Sequence, residues 1–249
     1  MNIVVDNIEQ FKAFFDVVYD MSSELLELQL KVDRMVCTVL DKTKTRFFHV
    51  EYDSKFFDVY SVDDDESVVI FIEDLYKLLK SCNKTDTLYL ESNDPYLIAK
   101  VVSDKGNSRV FEFVLPTDFI ESPVPPHADF PSVFEVDVSD LSQSVKDIAL
   151  IGSDLYVFNV VNGELNITTD KDIATKYANC IVVDDFEKSE YDVSSAFTLD
   201  YVKQMLKFNK ISKKVKIKLG NDLPIFYSYN DDVMGVRVSG MIAPRISEE

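Results

Sequence analysis

Polar and apolar residues alternate one for one through much of this chain. The clearest stretch is Lys214 to Leu219 (KVKIKL), where every second residue is apolar, as in a strand with one buried and one wet face. Comparable runs predict strands at Arg34 to Leu40, Arg46 to Tyr52, Thr87 to Glu91, Tyr96 to Val102, Arg109 to Leu115, Leu155 to Val161, Glu164 to Thr168, Lys176 to Val183 and Met234 to Ile242. Turn-forming clusters separate them, among them Ser92 to Pro95, Asp104 to Asn107, Asn162 with Gly163, and Asn230 to Asp232. Four segments carry helical spacing instead: Ile8 to Tyr19, Glu73 to Cys82, Val138 to Ala149 and Leu199 to Phe208. Asp6, Ser139 and Thr198 stand where N-caps are expected. Each helix has one apolar stripe and is expected to lie on a sheet.

The order of these elements repeats. Phe11 and Leu141, anchors of the first and third helices, are 130 residues apart, and Leu75 and Tyr201, in the second and fourth, are 126 apart. The second and fourth helices are each followed by a polar turn and an alternating strand. A period of half the chain implies duplication of one unit. Between the copies lies PTDFIESPVPPHADFP, Pro116 to Pro131, with five prolines and no periodicity, which reads as an extended linker. The expected class is α+β: two similar domains of antiparallel sheet with two helices each, residues 1–115 and 132–249, joined by a linker at 116–131.

Composition narrows the function. The 249 residues include 44 acidic and 26 basic side chains, for a formal charge of −18, and 46% are hydrophobic, with 18 Phe and 12 Tyr. That is ample material for a core and excludes wholesale disorder. No apolar run approaches the roughly 20 residues of a membrane span, and MNIVVDNIEQF has no basic leader region, so a chain neither secreted nor membrane-embedded is expected. Three unclustered cysteines, Cys37, Cys82 and Cys180, imply buried free thiols in a reducing compartment. Two isolated histidines, His49 and His127, cannot form a zinc site, and six scattered glycines make no phosphate-cradling loop. No catalytic residue, metal or cofactor is expected. The rival is a carboxylate-dependent metal enzyme built on Asp63 to Glu66 and Asp184 with Asp185, but contiguous runs between strands do not converge on an ion from several elements.

The lysines are placed more informatively than the net charge suggests. Lys77, Lys80 and Lys84 share a helical face opposite the apolar stripe, as do Lys203, Lys207 and Lys210, with Lys213 and Lys214 extending the second set. A solvated face is the alternative for either set. Matching basic faces on both copies of an acidic chain point to a polyanion.

At these residues the chain resembles the sliding DNA clamps of archaea and eukaryotes, the proliferating cell nuclear antigen family. Ile242 to Glu249 (IAPRISEE) is similar to that family's C-terminal Leu-Ala-Pro-Lys/Arg signature with its acidic tail, and Leu219 to Ile225 (LGNDLPI) resembles the strand and turn before it. Leu40 with Asp41, the linker after Phe113 to Pro116, the two-copy architecture and the length also fit. The resemblance implies a trimeric ring, its helices lining a hole that holds duplex DNA without sequence preference. It implies a non-enzymatic processivity factor, cytoplasmic in an archaeal-type cell or nuclear in a eukaryote. DNA polymerase, clamp loader, nuclease and ligase would dock through short peptide motifs. A subunit of a heterotrimer or of a checkpoint-type clamp is the alternative.

Carried over by that resemblance, the DNA-facing positions are Lys12, Lys77, Lys80, Lys146, Lys203, Lys207 and Lys210, with Lys84 added on spacing alone. The implied peptide pocket comprises Leu40, Lys44, Thr45, Val124, Pro126, Phe130, Pro224, Met241, Ile242, Ala243, Pro244 and Arg245, with Val124 and Met241 expected to be partly exposed. Gly240 and Met241 replace an aromatic pair usual in the family, which implies a wider pocket. The implied subunit contact pairs Arg109, Val110, Phe111, Glu112 and Phe113 with Lys176, Tyr177, Ala178, Asn179 and Cys180, strand to strand.

Overall fold

The computed structural model describes residues 1–21, 24–117, 122–124, 128–169, 175–183, 186–189 and 192–245. The chain forms two compact units, one from Met1–Lys44, Phe48–Val124 and Asn230–Val238, the other from Thr45–Phe47, Pro125–Tyr229 and Ser239–Glu249.

The first half runs β1 (Asn2–Val5), α1 (Ile8–Asp20), β2 (Leu25–Leu30), β3 (Arg34–Leu40), β4 (Arg46–Asp53), β5 (Val59–Ser61), β6 (Glu66–Phe71), α2 (Ile72–Lys80), β7 (Thr87–Asn93), β8 (Tyr96–Val102) and β9 (Ser108–Val114). The second half repeats that order: β10 (Ser132–Asp137), α3 (Val138–Leu150), β11 (Leu155–Val161), β12 (Glu164–Thr168), β13 (Ala178–Ile181), β14 (Phe186–Ser189), β15 (Val193–Thr198), α4 (Leu199–Met205), β16 (Lys214–Leu219), β17 (Ile225–Asp231) and β18 (Val236–Ile242). Strand neighbours repeat as well. The order β5-β1-β7-β8-β9 in one half is matched by β14-β10-β16-β17-β18 in the other, and β4-β3-β2-β6 by β13-β12-β11-β15. The described pairings are antiparallel. Duplication is therefore visible in topology, not only in spacing.

Aromatic residues fill both cores. In the first, Phe11, Phe14 and Phe15 of α1 are fully buried, with ring centroids 5.2 Å apart for Phe11 and Phe15 and 5.7 Å for Phe14 and Phe48. In the second, Tyr156, Phe158 and Phe197 are equally buried, and Phe158 meets Phe197 edge-on at 5.9 Å. Burying the apolar side of each alternating strand under such rings is the main stabilising contribution.

The turn signals and caps fare unequally. Asn162 and Gly163 both take positive φ, 51° and 78°, and close the β11–β12 hairpin in the two-residue turn that this pair favours. The first helix is capped by Asn7, whose side chain accepts from the Gln10 amide at 3.3 Å, and not by Asp6. Asp137 rather than Ser139 precedes α3, and Thr198 precedes α4 as expected but makes no side-chain cap bond. Cys37 is buried, and that burial pushes its thiol pKa up, whereas Cys82 is half-buried and Cys180 exposed on β13. Only the first thiol is thus fully buried.

Gly240 owes its identity to a close approach. A Cβ added there would lie 2.3 Å from Cζ and Oη of the buried Tyr227, on the neighbouring strand β17. The Tyr227 ring occupies the space that a side chain at position 240 would need. Gly240→Ala is expected to cost about 1–3 kcal/mol through overpacking, a fall of a few degrees in thermal midpoint at about 2–4 °C per kcal/mol. An unchanged melting curve would show that Tyr227 yields without strain.

Candidate functional site

In the first unit α1 and α2 lie side by side. α2 buries Ile72, Leu75, Leu78 and Leu79, which leaves Lys77 and Lys80 exposed on its other face. Lys77 Nζ meets Glu73 Oε1 at 2.7 Å, one turn back, and Lys80 Nζ lies 3.7 Å from Asp16 Oδ1 on α1. These carboxylates raise both ammonium pKa values, so both remain cationic. Lys80 also sits over the Tyr76 ring, 5.5 Å from its centroid, and Tyr76 stacks on Tyr19 at 4.0 Å. Lys12 is half-buried on α1. Lys84 does not belong to α2. The helix stops at Lys80, where Ser81 turns its hydroxyl back onto the Leu78 carbonyl at 2.7 Å, and Lys84 follows in the turn to β7.

The second unit presents Lys146 exposed on α3 and Lys203 exposed on α4, the latter 2.8 Å from Asp200 Oδ1. Lys207 lies on a 3-10 turn, Leu206–Phe208, and Lys210 lies beyond it. The predicted fourth helix therefore tightens after Met205, and its basic row continues along that turn. Both halves carry exposed lysines on or just after their second helix.

The residues matched to a peptide pocket divide between the units. In the first, Leu40 is half-buried at the end of β3, Lys44 is exposed with φ 57°, and Val124 is 82% exposed. Ser122, two residues before Val124, accepts from Gln29 Nε2 at 2.8 Å and donates to Glu27 Oε2 at 2.5 Å. In the second, the Thr45 carbonyl accepts from the Ala243 amide at 2.8 Å, and the Ala196 carbonyl from the Arg245 amide at 2.7 Å. Arg245 Nη1 also meets Asp154 Oδ2 at 2.7 Å. Ala243 and Pro244 are half-buried, Ile242 and Phe130 buried, and Pro224 half-buried. Pro126 lies outside the described residues.

Met241 corrects an expectation. It is 5% exposed, because alternation along β18 gives way to three consecutive buried residues, Gly240 to Ile242. The contact of Arg245 with Asp154 was not legible in advance, since no sequence pattern links residues 91 positions apart.

The two segments matched to a subunit contact are end strands. β9 closes one end of its sheet with Val110 58% and Val114 60% exposed, and β13 ends its own with Cys180 exposed. Phe111 and Phe113 are half-buried and their rings stack at 6.2 Å, while Glu112 is exposed. Arg109 donates to Ser81 and approaches Asp86 at 3.8 Å. The second segment is shorter than its alternation predicted: β13 begins at Ala178, and Lys176 and Tyr177 precede it. Tyr177 is held elsewhere, donating its hydroxyl to Asp147 Oδ2 on α3 at 3.1 Å, and Asn179 reaches Ser144 Oγ at 3.0 Å.

Of the acidic runs, Asp65 accepts from the Val32 amide and pairs with Lys31 at 3.1 Å. Asp184 and Asp185 lie outside the described residues. Among the described residues no three His, Cys, Asp or Glu side chains converge as metal ligands would, and no helix is long and apolar enough to cross a membrane.

Residues 125–244 match the family model of the proliferating cell nuclear antigen C-terminal domain. Over 238 residues, 96% of this chain and 95% of the relative, the chain is 26% identical to a DNA polymerase sliding clamp of Methanothermobacter thermautotrophicus. Two solved structures share the fold. A chain of the PCNA2–PCNA3 complex from Sulfolobus tokodaii superposes with a TM-score of 0.86 at 22% identity, covering 98% of this chain and 99% of that one. The PCNA of A. fulgidus, bound to the C-terminal region of FEN-1, gives 0.85 at 18% identity, covering 100% and 99%.

Proposed function

We infer that this chain, which belongs to the proliferating cell nuclear antigen family of DNA sliding clamps, works as a ring subunit that encircles duplex DNA. There it serves as a mobile, non-catalytic tether for DNA polymerase and other replication and repair proteins. The observation that carries this reading is the duplicated topology, in which each half sets exposed lysines on or just beyond its second helix in a chain of net charge −18. At physiological salt charges are screened beyond about 8 Å. DNA beside the helices would respond to those lysines far more than to acidic side chains elsewhere, which would keep DNA off the outer surface. Lysine suits a sliding contact, since a point charge holds phosphate without the bidentate geometry of arginine.

Partner docking is assigned to Val124 at the linker of the first unit and, taken separately, to the C-terminal segment of the second, Ile242 to Arg245. A relative with this fold is bound to the C-terminal region of FEN-1, and a short segment of that kind would set its aliphatic and aromatic anchors here. Val124 is the exposed apolar residue on which such an anchor would rest. Val124→Ala is expected to weaken a clamp-binding peptide by about 1 kcal/mol or more, the scale on which interface residues stand out, and to leave the melting curve in place. Met241→Ala, by contrast, is expected to cost about 2–5 kcal/mol of folding stability as a buried truncation. Peptide titration by fluorescence anisotropy, alongside thermal melts, checks both. Equal peptide affinity for Val124→Ala and wild type would move the pocket elsewhere.

The subunit contact is assigned to β9 of one chain against β13 of the next, which covers both sheet ends. The neighbouring chain is a copy of this one or a close relative.

A further inference from the structure

Helix α4 is poorly equipped to hold itself. It has seven residues, its N-cap Thr198 makes no side-chain cap bond, and a helix this short is unstable on its own. Its inner side is fixed by burial of Leu199, Val202 and Met205 and by the bond from the Leu199 amide to the Asp154 carbonyl at 2.8 Å. The outer side is fixed from elsewhere in the same unit. Arg46 lays its guanidinium on the Tyr201 ring, 4.5 Å from the centroid, and donates from Nη1 to Gln204 Oε1 at 2.7 Å. Tyr201 and Gln204 are three residues apart on one helical face, next to the face that carries Lys203, and Lys207 follows on the 3-10 turn.

We infer that Arg46 is a positioning residue for the basic row that begins on α4, clamping the helix through Tyr201 and Gln204 so that Lys203, and Lys207 on the 3-10 turn that continues it, point in a fixed direction. The inference rests on the reading that these lysines face DNA. Lysine could not replace Arg46, because only the planar guanidinium both stacks on the ring and offers a second donor edge to the amide. Thr45, its neighbour, accepts from Ala243, so the same short segment is held to the C-terminal end and to α4.

The test is titration of a fluorescent duplex into single and double variants. Arg46→Ala and Tyr201→Ala should each weaken duplex binding about two- to tenfold. The double variant should be no weaker than either single one, as for two residues acting through one contact. Arg46→Lys, which keeps the charge, should bind as poorly as Arg46→Ala, and Tyr201→Phe should bind like wild type. Wild-type binding by Arg46→Lys, or additive losses in the double variant, would overturn the positioning role and leave Arg46 a plain surface cation. A Lys203→Ala, Lys207→Ala variant separates the two levels. If it binds as wild type, the DNA-facing reading falls; if it binds weakly while Arg46→Ala binds normally, only the positioning role falls. Should Arg46→Ala melt early, Tyr201→Ala and Arg46→Lys carry the comparison.

Discussion

Alanine at Lys77, Lys80, Lys203 and Lys207 together is expected to weaken duplex binding at about 50 mM salt by roughly one to two orders of magnitude and to flatten its salt dependence. Each phosphate contact adds about 0.9 to the slope of log affinity against log salt, so four full contacts would remove about 3.6. The observed loss should fall short of that. Lys77 and Lys203 share their charge with Glu73 and Asp200 on their own helix, and Lys80 with Asp16, so each meets a phosphate partly neutralised. All four side chains are exposed, and the melting curve should not move. Removing Lys42 and Lys105 instead, both exposed on turns, should leave binding unchanged. A quadruple variant that binds DNA with wild-type affinity and slope would remove the helices from the DNA-facing surface.

Val110→Asp combined with Cys180→Asp is expected to dissolve the assembly. Both residues are exposed on end strands, so neither change opens a core. If β9 of one chain pairs with β13 of the next, the substitutions set like charges across one ladder, where they are destabilising. Sedimentation should show the mass fall from that of the wild-type assembly to 28.5 kDa, the mass of one chain. A double variant that keeps the wild-type mass would place the subunit contact on other strands.

Much of this was legible in the sequence, and what was not had physical causes. Period-2 alternation found ten strands, yet eight more exist among the described residues, including β1, β5 and β14. Those three are only three or four residues long, too short for a period to declare itself. β2 and β10 do alternate in burial, but their charged and apolar residues blend with adjoining turns and helices. Helix positions were readable because Phe11, Leu75, Leu141 and Val202 mark continuous stripes. Helix ends were not, because Asp6 and Asn7 are equal as caps in sequence and only geometry selects Asn7. Spacing placed Lys84 on α2 and Lys210 on α4, since a helical wheel does not register where the chain leaves the helix. The need for glycine at 240 depends on Tyr227, thirteen residues earlier and on another strand. The clamp of Arg46 on Tyr201 and Gln204 spans 158 positions to Gln204 and leaves no local trace.

Retention on closed against linear DNA distinguishes a ring that encircles the duplex from a protein that binds its surface. The assembled protein, loaded by a clamp loader onto a nicked circular duplex and passed through a sizing column at moderate salt, is expected to stay with the circle. A single restriction cut should release it, because a ring held by topology and weak lysine contacts slides off an open end. Equal retention on circular and cut DNA would mean that the protein binds the duplex by its surface, and loss from both would mean that it does not encircle DNA at all; either result would contradict the sliding-clamp account.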